Sequence, residues 1–409
     1  MPRTPLAHEH DTHSKHHHHH RAPPPPPPGT TTTAAAATTT TAAATMNPVS
    51  AFGAALFSKM TRERGEGSVV MSPFSMWTAL AMAEVACVKD SDASAQLRRI
   101  LEYDVLENHD LRAWYMRTTS SICEDDPAAS LKVANALFAT GEVKGRVAKW
   151  CSTVFAAKVE PLGSHQDINA FVVDKTNGII KNLLSKDPEG PAVLVNAIFF
   201  DGAWTTKFDE KKTYSGLFRP YNQRPTPCKM MTMTEPGLEY GRTQLLEIVK
   251  LSYGPLQEFC AYVVVPTADD ASAMQDAIQQ LFGTRSSFDE VVKLMRREKV
   301  QLSLPRFSAQ GGADEVKHTV MSMGATAVFQ PGGLGRLTDD VHDFIGDIAH
   351  KAAIRVDERG TRAAAATAVQ ATRGIVQIKT VKADRPFIFV VSHVPTKTLL
   401  FVARVNNVE

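Results

Sequence analysis

The sequence predicts an α+β fold, and three observations carry that reading. Helical patterns dominate the first part of the chain, and segments rich in valine and phenylalanine dominate the second. Regular strand–helix alternation is absent, which argues against a doubly wound parallel sheet. One long run, "AVLVNAIFFDGAW" from Ala192 to Trp204, is apolar almost throughout. Such a run marks a strand buried on both faces rather than one face only.

Ordered sequence begins at "MNPVSAFGAALFSKM", where Ala51, Leu56 and Met60 with Phe52 and Phe57 form a helical stripe. "SVVMS" follows as a strand. "SPFSMWTALAMAEVA" then reads as a second helix, with Ser72 as cap and Pro73 in its first turn. "DINAFVVDKTNGIIKNLL" reads as a helix broken near Asn177–Gly178. Beyond the apolar run, "EFCAYVVVP", "VQLSLPRFS", "AAIRV", "PFIFVVSHV" and "TLLFVARV" are strand candidates, with a helical stretch between Ala271 and Arg297. No repeat of fixed period stands out.

Residues 1–45 differ in kind. They hold "HHHHH", "PPPPPP" and "TTTTAAAATTTTAAAT", with almost nothing large and apolar. Such a segment buries too little surface to offset its ordering entropy, so it reads as a disordered leader. Its histidines are able to bind a divalent metal or to be an expression tag, and a solvated tail is the plainer account. Met46 is a candidate for the true start.

The 409 residues are 43% hydrophobic and 22% charged with a formal charge of +2, ordinary for a soluble globular protein. That near-neutrality offers nothing to nucleic acid or to an anionic membrane. No apolar run reaches the roughly 18 residues of a spanning helix, and the N-terminus lacks a signal peptide's apolar core. Cys87, Cys123, Cys151, Cys228 and Cys260 are scattered and never form a CxxC, and N-x-S/T acceptors are lacking. These absences favour a reducing, cytoplasmic setting, with an extracellular one as the alternative.

The motifs of catalysis are missing. There is no GxSxG elbow, HExxH or GxxxxGK[ST]. "HEHDTH" has the wrong spacing for a zinc protease. "GLGRLT" at 333–338 lacks the third glycine of a dinucleotide loop and a strand before it. His350, in "DIAHKAAIRV", reads either as a buried, hydrogen-bonded side chain or as a catalytic base. No enzyme activity, cofactor or metal is expected of the ordered sequence.

One stretch sets local propensity against its surroundings: "ERGTRAAAATAVQATRG", Glu358 to Gly374. Such conflicts mark functional sites. Written with period two, one face is Thr361, Ala363, Ala365, Thr367, Val369 and Ala371, small or apolar throughout. The other is Arg362, Ala364, Ala366, Ala368, Gln370 and Thr372. Alternate side chains of a strand point to opposite faces. The stretch therefore reads either as a latent strand or as a flexible alanine-rich loop, in an interval from Ile354 to Pro386 too long for an ordinary connection.

"VDERGTRAAAATAV" resembles the reactive-loop hinge of inhibitory serpins. "VMSPFSM", "FVVDKTNGIIKNLL", "LVNAIFFDGAW", "LPRFS", "HKAAIRVDERGT" and "ADRPFIFVV" resemble further serpin motifs and lie in the family's order. The resemblance spans 46–409 and implies a single domain with three β-sheets, eight or nine helices and an exposed reactive-centre loop. It implies a suicide-substrate inhibitor. A protease cleaves the loop, the loop inserts into the main sheet, and the acyl-enzyme is distorted. Arg359 and Arg362 depart from the family, standing where acidic residues are frequent.

By motif, the resemblance assigns the hinge to Glu358, Gly360, Thr361, Ala363, Ala364, Ala365, Ala366 and Thr367. It assigns a sheet-opening cluster to Ser72, Ser75, Asn196 and His350, and the point where the loop enters to Trp204. The common spacing from Glu358 puts the cut at Gly374–Ile375. A loop one residue shorter, as in intracellular poxviral serpins, puts it at Arg373–Gly374, where arginine suits a trypsin-like pocket. The favoured bait is Arg373–Gly374. The implied partner is a serine protease held as a covalent acyl complex, the inhibitor being a monomer. Alternatives are a cysteine-protease target or a non-inhibitory serpin acting as carrier or chaperone.

Overall fold

The computed structural model describes residues 47–106, 110–123, 129–312, 316–360 and 377–408. They belong to one compact unit, Ala43–Glu409. The leader assigned to 1–45 lies outside them.

In chain order the elements are α1 (Pro48–Glu63), β1 (Val69–Met71), α2 (Pro73–Ala86), α3 (Asp92–Ile100), α4 (Leu111–Ile122), β2 (Ala129–Ala139), α5 (Gly145–Thr153) and β3 (Lys158–Pro161). Then come α6 (His165–Lys175), β4 (Ala192–Gly202), β5 (Tyr214–Phe218), β6 (Thr226–Arg242), β7 (Leu246–Tyr253), β8 (Phe259–Pro266), α7 (Ala271–Phe282) and α8 (Ser287–Lys293). The last are β9 (Arg296–Pro305), β10 (Phe307–Gly312), α9 (Val316–Ser322), β11 (Ile345–Val356), β12 (Lys379–Lys382), β13 (Phe387–His393) and β14 (Thr398–Val405).

The main sheet has the order β10-β11-β4-β2-β3. β11 and β4, at its centre, run parallel, with His350 opposite Asn196. β10 with β11 and β4 with β2 are antiparallel. The other nine strands follow β1-β14-β13-β8-β7-β6-β9-β12, with β5 on β6. β6 runs 17 residues, pairs with β5 near its start and with β7 only over Glu239–Arg242. The nine strands are thus two sheets sharing β6, which with the main sheet gives the three expected.

The apolar run becomes β4, and both its faces are covered. Leu194 and Ile198 point into the large core, to which α2 contributes. Val193, Val195 and Ala197 point the other way, onto Ile168 and Val172 of α6. Burying one such side chain contributes about 1.5–3 kcal/mol, which is why this strand needs no polar face. α2 is apolar all round for the same reason, buried on nearly every side. Its cap is as the sequence predicts, the Ser75 N–H donating to Ser72 Oγ at 3.1 Å. Gly53 of α1 lets the two helices touch, since an added Cβ would lie 2.2 Å from Pro73 Cβ.

One expectation changes. The stretch after α6 does not resume as a helix. Asn177 and Gly178 both take left-handed φ, 51° and 76°, and the chain continues as turns to β4. The "GLGRLT" segment opens no helix. Leu334 and Leu337 are buried, and the Leu334 N–H donates to the Asp343 carbonyl at 2.8 Å. It is a turn tied to the core, not a phosphate loop. No helix among the described residues is long and apolar enough to cross a membrane.

Candidate functional site

The seam between β4 and β11 carries two polar arrangements. The first is a row across three strands, because Asn196 is the register partner of His350 on one side and of Asn135 on the other. Their side chains fall on the face that points to α2. The Ser72 N–H, at the start of α2, donates to His350 Nε2 at 3.3 Å. That fixes the tautomer. Nδ1 carries the hydrogen and donates to Asn196 Oδ1 at 2.9 Å. The Ser75 hydroxyl also donates to Asn196 Oδ1, Asn196 Nδ2 donates to Asn135 Oδ1, and Asn135 Nδ2 reaches the Phe155 carbonyl at 3.5 Å. All five side chains are buried. Burial pushes the His350 pKa down to about 3. A proton on Nε2 would face the Ser72 N–H, donor against donor, so the ring is neutral in this row. With both nitrogens engaged, His350 is not a free base, which favours the buried, hydrogen-bonded reading of the residue over the catalytic one.

The second arrangement lies where β11 ends. The chain from Asp357 to Gly360 closes a tight turn, with the Gly360 N–H donating to the Asp357 carbonyl at 3.2 Å and the Asp357 N–H to the Gly360 carbonyl at 3.1 Å. Gly360 has φ +107° and bridges to Ala203, just past β4. An added Cβ there would lie 2.3 Å from the Gly202 carbonyl oxygen, so only glycine fits. Trp204 pins this turn. Its backbone N–H donates to the Arg359 carbonyl and its indole Nε1–H to the Asp357 carbonyl, both at 3.0 Å. The ring stacks on Tyr253 at 4.2 Å between centroids.

Glu358 turns inward and is buried. Arg306 Nε donates to its two carboxylate oxygens at 2.8 and 2.6 Å, and Thr213 Oγ1 donates to Oε1. Burial pushes the Glu358 pKa up, but these donors outweigh it and hold the carboxyl below its ordinary value. Arg359 turns outward, its Nε 3.0 Å from Glu210 Oε1.

A family model described as Serpin (serine protease inhibitor) matches residues 47–408. This chain belongs to the serpin family. The leukocyte elastase inhibitor of Xenopus laevis is 27% identical over 378 residues, covering 86% of this serpin and 96% of that protein. Iripin-1 of Ixodes ricinus is 29% identical over 358 residues, covering 84% and 89%. The solved structure of native protease nexin-1 with heparin has a TM-score of 0.77 at 24% identity and covers 88% of this serpin and 100% of that chain. At that identity it establishes the fold alone.

In this serpin Ser72, Ser75, Asn196 and His350 come together as one hydrogen-bonded group, and Glu358, Gly360 and Trp204 meet at the end of the seam. Thr361, Ala363, Ala364, Ala365, Ala366, Thr367, Arg373, Gly374 and Ile375 lie outside the described residues. Sequence reasoning missed Asn135, Arg306 and Thr213. Asn135 had a signal, as the lone polar residue in "VANALFA". Arg306 and Thr213 had none, because they meet Glu358 only through the fold. The five cysteines are free thiols, with Cys87, Cys151 and Cys260 buried and Cys123 exposed.

Proposed function

We propose that this serpin is a suicide substrate for a trypsin-like serine protease, with Arg373–Gly374 as the bait. The observation that carries the reading is the turn at Gly360. The chain leaves β11 there, hooked to Ala203 and Trp204, directly at the end of the parallel β4–β11 seam. A strand that follows this turn is already aimed back along the seam. Thr361, Ala363 and Ala365 would enter facing the core and Arg362 facing outward. The buried row of Ser72, Ser75, Asn196 and His350 is the lock to be parted, since separating β4 from β11 breaks the His350–Asn196 bond. Intact and broken rows are two discrete states, as a buried polar network permits.

In the proposed chemistry the protease serine adds to the Arg373 carbonyl. The bond to the Gly374 nitrogen breaks, that nitrogen leaves as an amine with the proton, and an ester joins Arg373 to the protease. Loop insertion then carries the ester away before water hydrolyses it. The name of the Xenopus laevis relative supports inhibition as the activity, and the arginine supports the trypsin-like class. A monomer in a reducing compartment fits the five free thiols.

Incubation with trypsin, boiling in detergent and electrophoresis test this. The expected result is a covalent band at the mass of the protease plus residues 1–373, and a released fragment beginning at Gly374. A fragment beginning at Ile375 moves the cut and removes the trypsin-like assignment. Complete cleavage with no covalent band overturns inhibition itself.

A further inference from the structure

Arg404, near the end of β14, is buried with no carboxylate in ion-pair reach among the described residues. Its Nε and Nη2 donate to the Gly67 carbonyl and its Nη1 to the Thr61 carbonyl at 3.1 Å. A guanidinium has five N–H donors, so two lack an acceptor among the described residues. Carbonyls offset part of the charge. Glu66 acts on the guanidinium through space without pairing to it, and a buried cation without a directly paired anion remains costly.

Beside it is Tyr221, on the connection from β5 to β6, 9% exposed. Its hydroxyl is buried and has no hydrogen-bond partner among the described residues. Both residues line a cavity of about 380 Å³ between the end of α1, the first turns of α7 and β14. Ala271 and Met274 give it an apolar wall, and Glu66 and Arg62 stand at its polar side. Glu66 is engaged, accepting from Asn222 Nδ2, and Arg62 donates to Gln279 Oε1 at 2.8 Å. The nearby acids are engaged too. Asp269 pairs with Arg219 at 3.1 Å, and Asp270 caps α7 through the Ala273 N–H at 2.8 Å.

We propose that this cavity binds a small amphipathic carboxylate, its head between the Arg404 guanidinium and the Tyr221 hydroxyl and its apolar body against Met274 and Ala271. The volume is at the small end of the roughly 300–1,000 Å³ of ligand pockets, which suits a medium-length acyl chain or a single ring system. Both head-group partners are in the right protonation state. Burial lowers the Arg404 pKa only to about 10, so it stays charged. Burial, with Asp269 and Asp270, raises Tyr221 to about 12, so it keeps its hydrogen to donate. None of the lining residues belongs to the β4–β11 seam, so the site stands independently of protease inhibition.

The test is calorimetric titration of the full chain with sodium octanoate at neutral pH, with 1-octanol as the neutral control. Saturable binding of one octanoate per chain is expected, at least tenfold tighter than octanol. Tyr221→Phe keeps the ring and removes one donor to a charged acceptor, so octanoate should weaken about tenfold. Ala271→Phe adds a ring to the apolar wall of the cavity and should abolish binding. The site is overturned if octanoate and octanol bind alike, if octanoate does not saturate, or if both variants, melting like the parent, bind as the parent does. If Tyr221→Phe fails to fold, Ala271→Phe alone decides.

Discussion

Asn196 and His350 face each other across the two parallel strands at the centre of the main sheet, with Nδ1 of the ring 2.9 Å from Oδ1 of the amide. The ring must be neutral for its other nitrogen, Nε2, to accept from the Ser72 N–H at 3.3 Å. The His350 pKa is near 3 in the fold against an ordinary 6.5. The unfolded chain therefore binds the extra proton first, and stability falls as pH drops from about 6.5 towards 3. From pH 7 to pH 5 the loss should be about 2 kcal/mol. His393, which burial lowers to about 4, adds a loss of the same sign. Urea unfolding of the parent and His350→Gln at both pH values isolates the first term. The variant should be less stable at pH 7 and lose less on going to pH 5.

Glu358→Gln should destabilise the native form by about 1–3 kcal/mol, because a buried charged acceptor of Arg306 and Thr213 is replaced by an amide. The acid dependence runs lower on the pH scale than that of His350. The folded carboxyl lies below 4.5, so its contribution is complete above that value and is lost as pH falls through the folded one. Thermal melts at pH 7 and pH 3.5 check both points. An unchanged melting temperature at pH 7 removes Glu358 from the anchor of the turn.

Much of this was legible beforehand because it rests on short-range pattern. β4 announced itself as an unbroken apolar run, and α2 as a serine cap followed by proline. β6 was not legible. Its 17 residues include Pro236 and Gly237, residue types that weaken a strand interior, yet β9 pairs along it and absorbs the irregularity as a register shift. The helix expected after Gly178 failed because two successive left-handed residues redirect the chain. In the candidate site, His350 looked ambiguous in sequence. Only the register that sets it against Asn196, and α2 that sets Ser72 above it, decides that the ring is structural.

Cleavage at the bait should raise the melting temperature well above that of the intact protein, because the period-two face from Thr361 to Ala371 is small enough to fill the seam. Calorimetry before and after limited proteolysis measures this. Equal midpoints leave only a non-inhibitory role.

Thr361→Arg should convert inhibitor to substrate, since an arginine on the inward face would be buried without a partner. Arg362→Glu, one position along and outward, should leave inhibition nearly unchanged. The ratio of protein consumed to protease inhibited reads both. It should rise at least tenfold for the first and stay within twofold for the second. Equal ratios overturn the assignment of the two faces.

The parallel pairing of β4 with β11 has a geometric consequence for sheet economy. A strand that turns back at Gly360 runs opposite to both neighbours. Were it to settle between them, the single parallel ladder at the centre of the sheet would be exchanged for two antiparallel ones. Antiparallel pairing is slightly the more stable per residue, and the number of ladders rises by one. By that count an added strand would improve the sheet, and the last described residue of this stretch, Gly360, is held at the sheet's end by its bridge to Ala203.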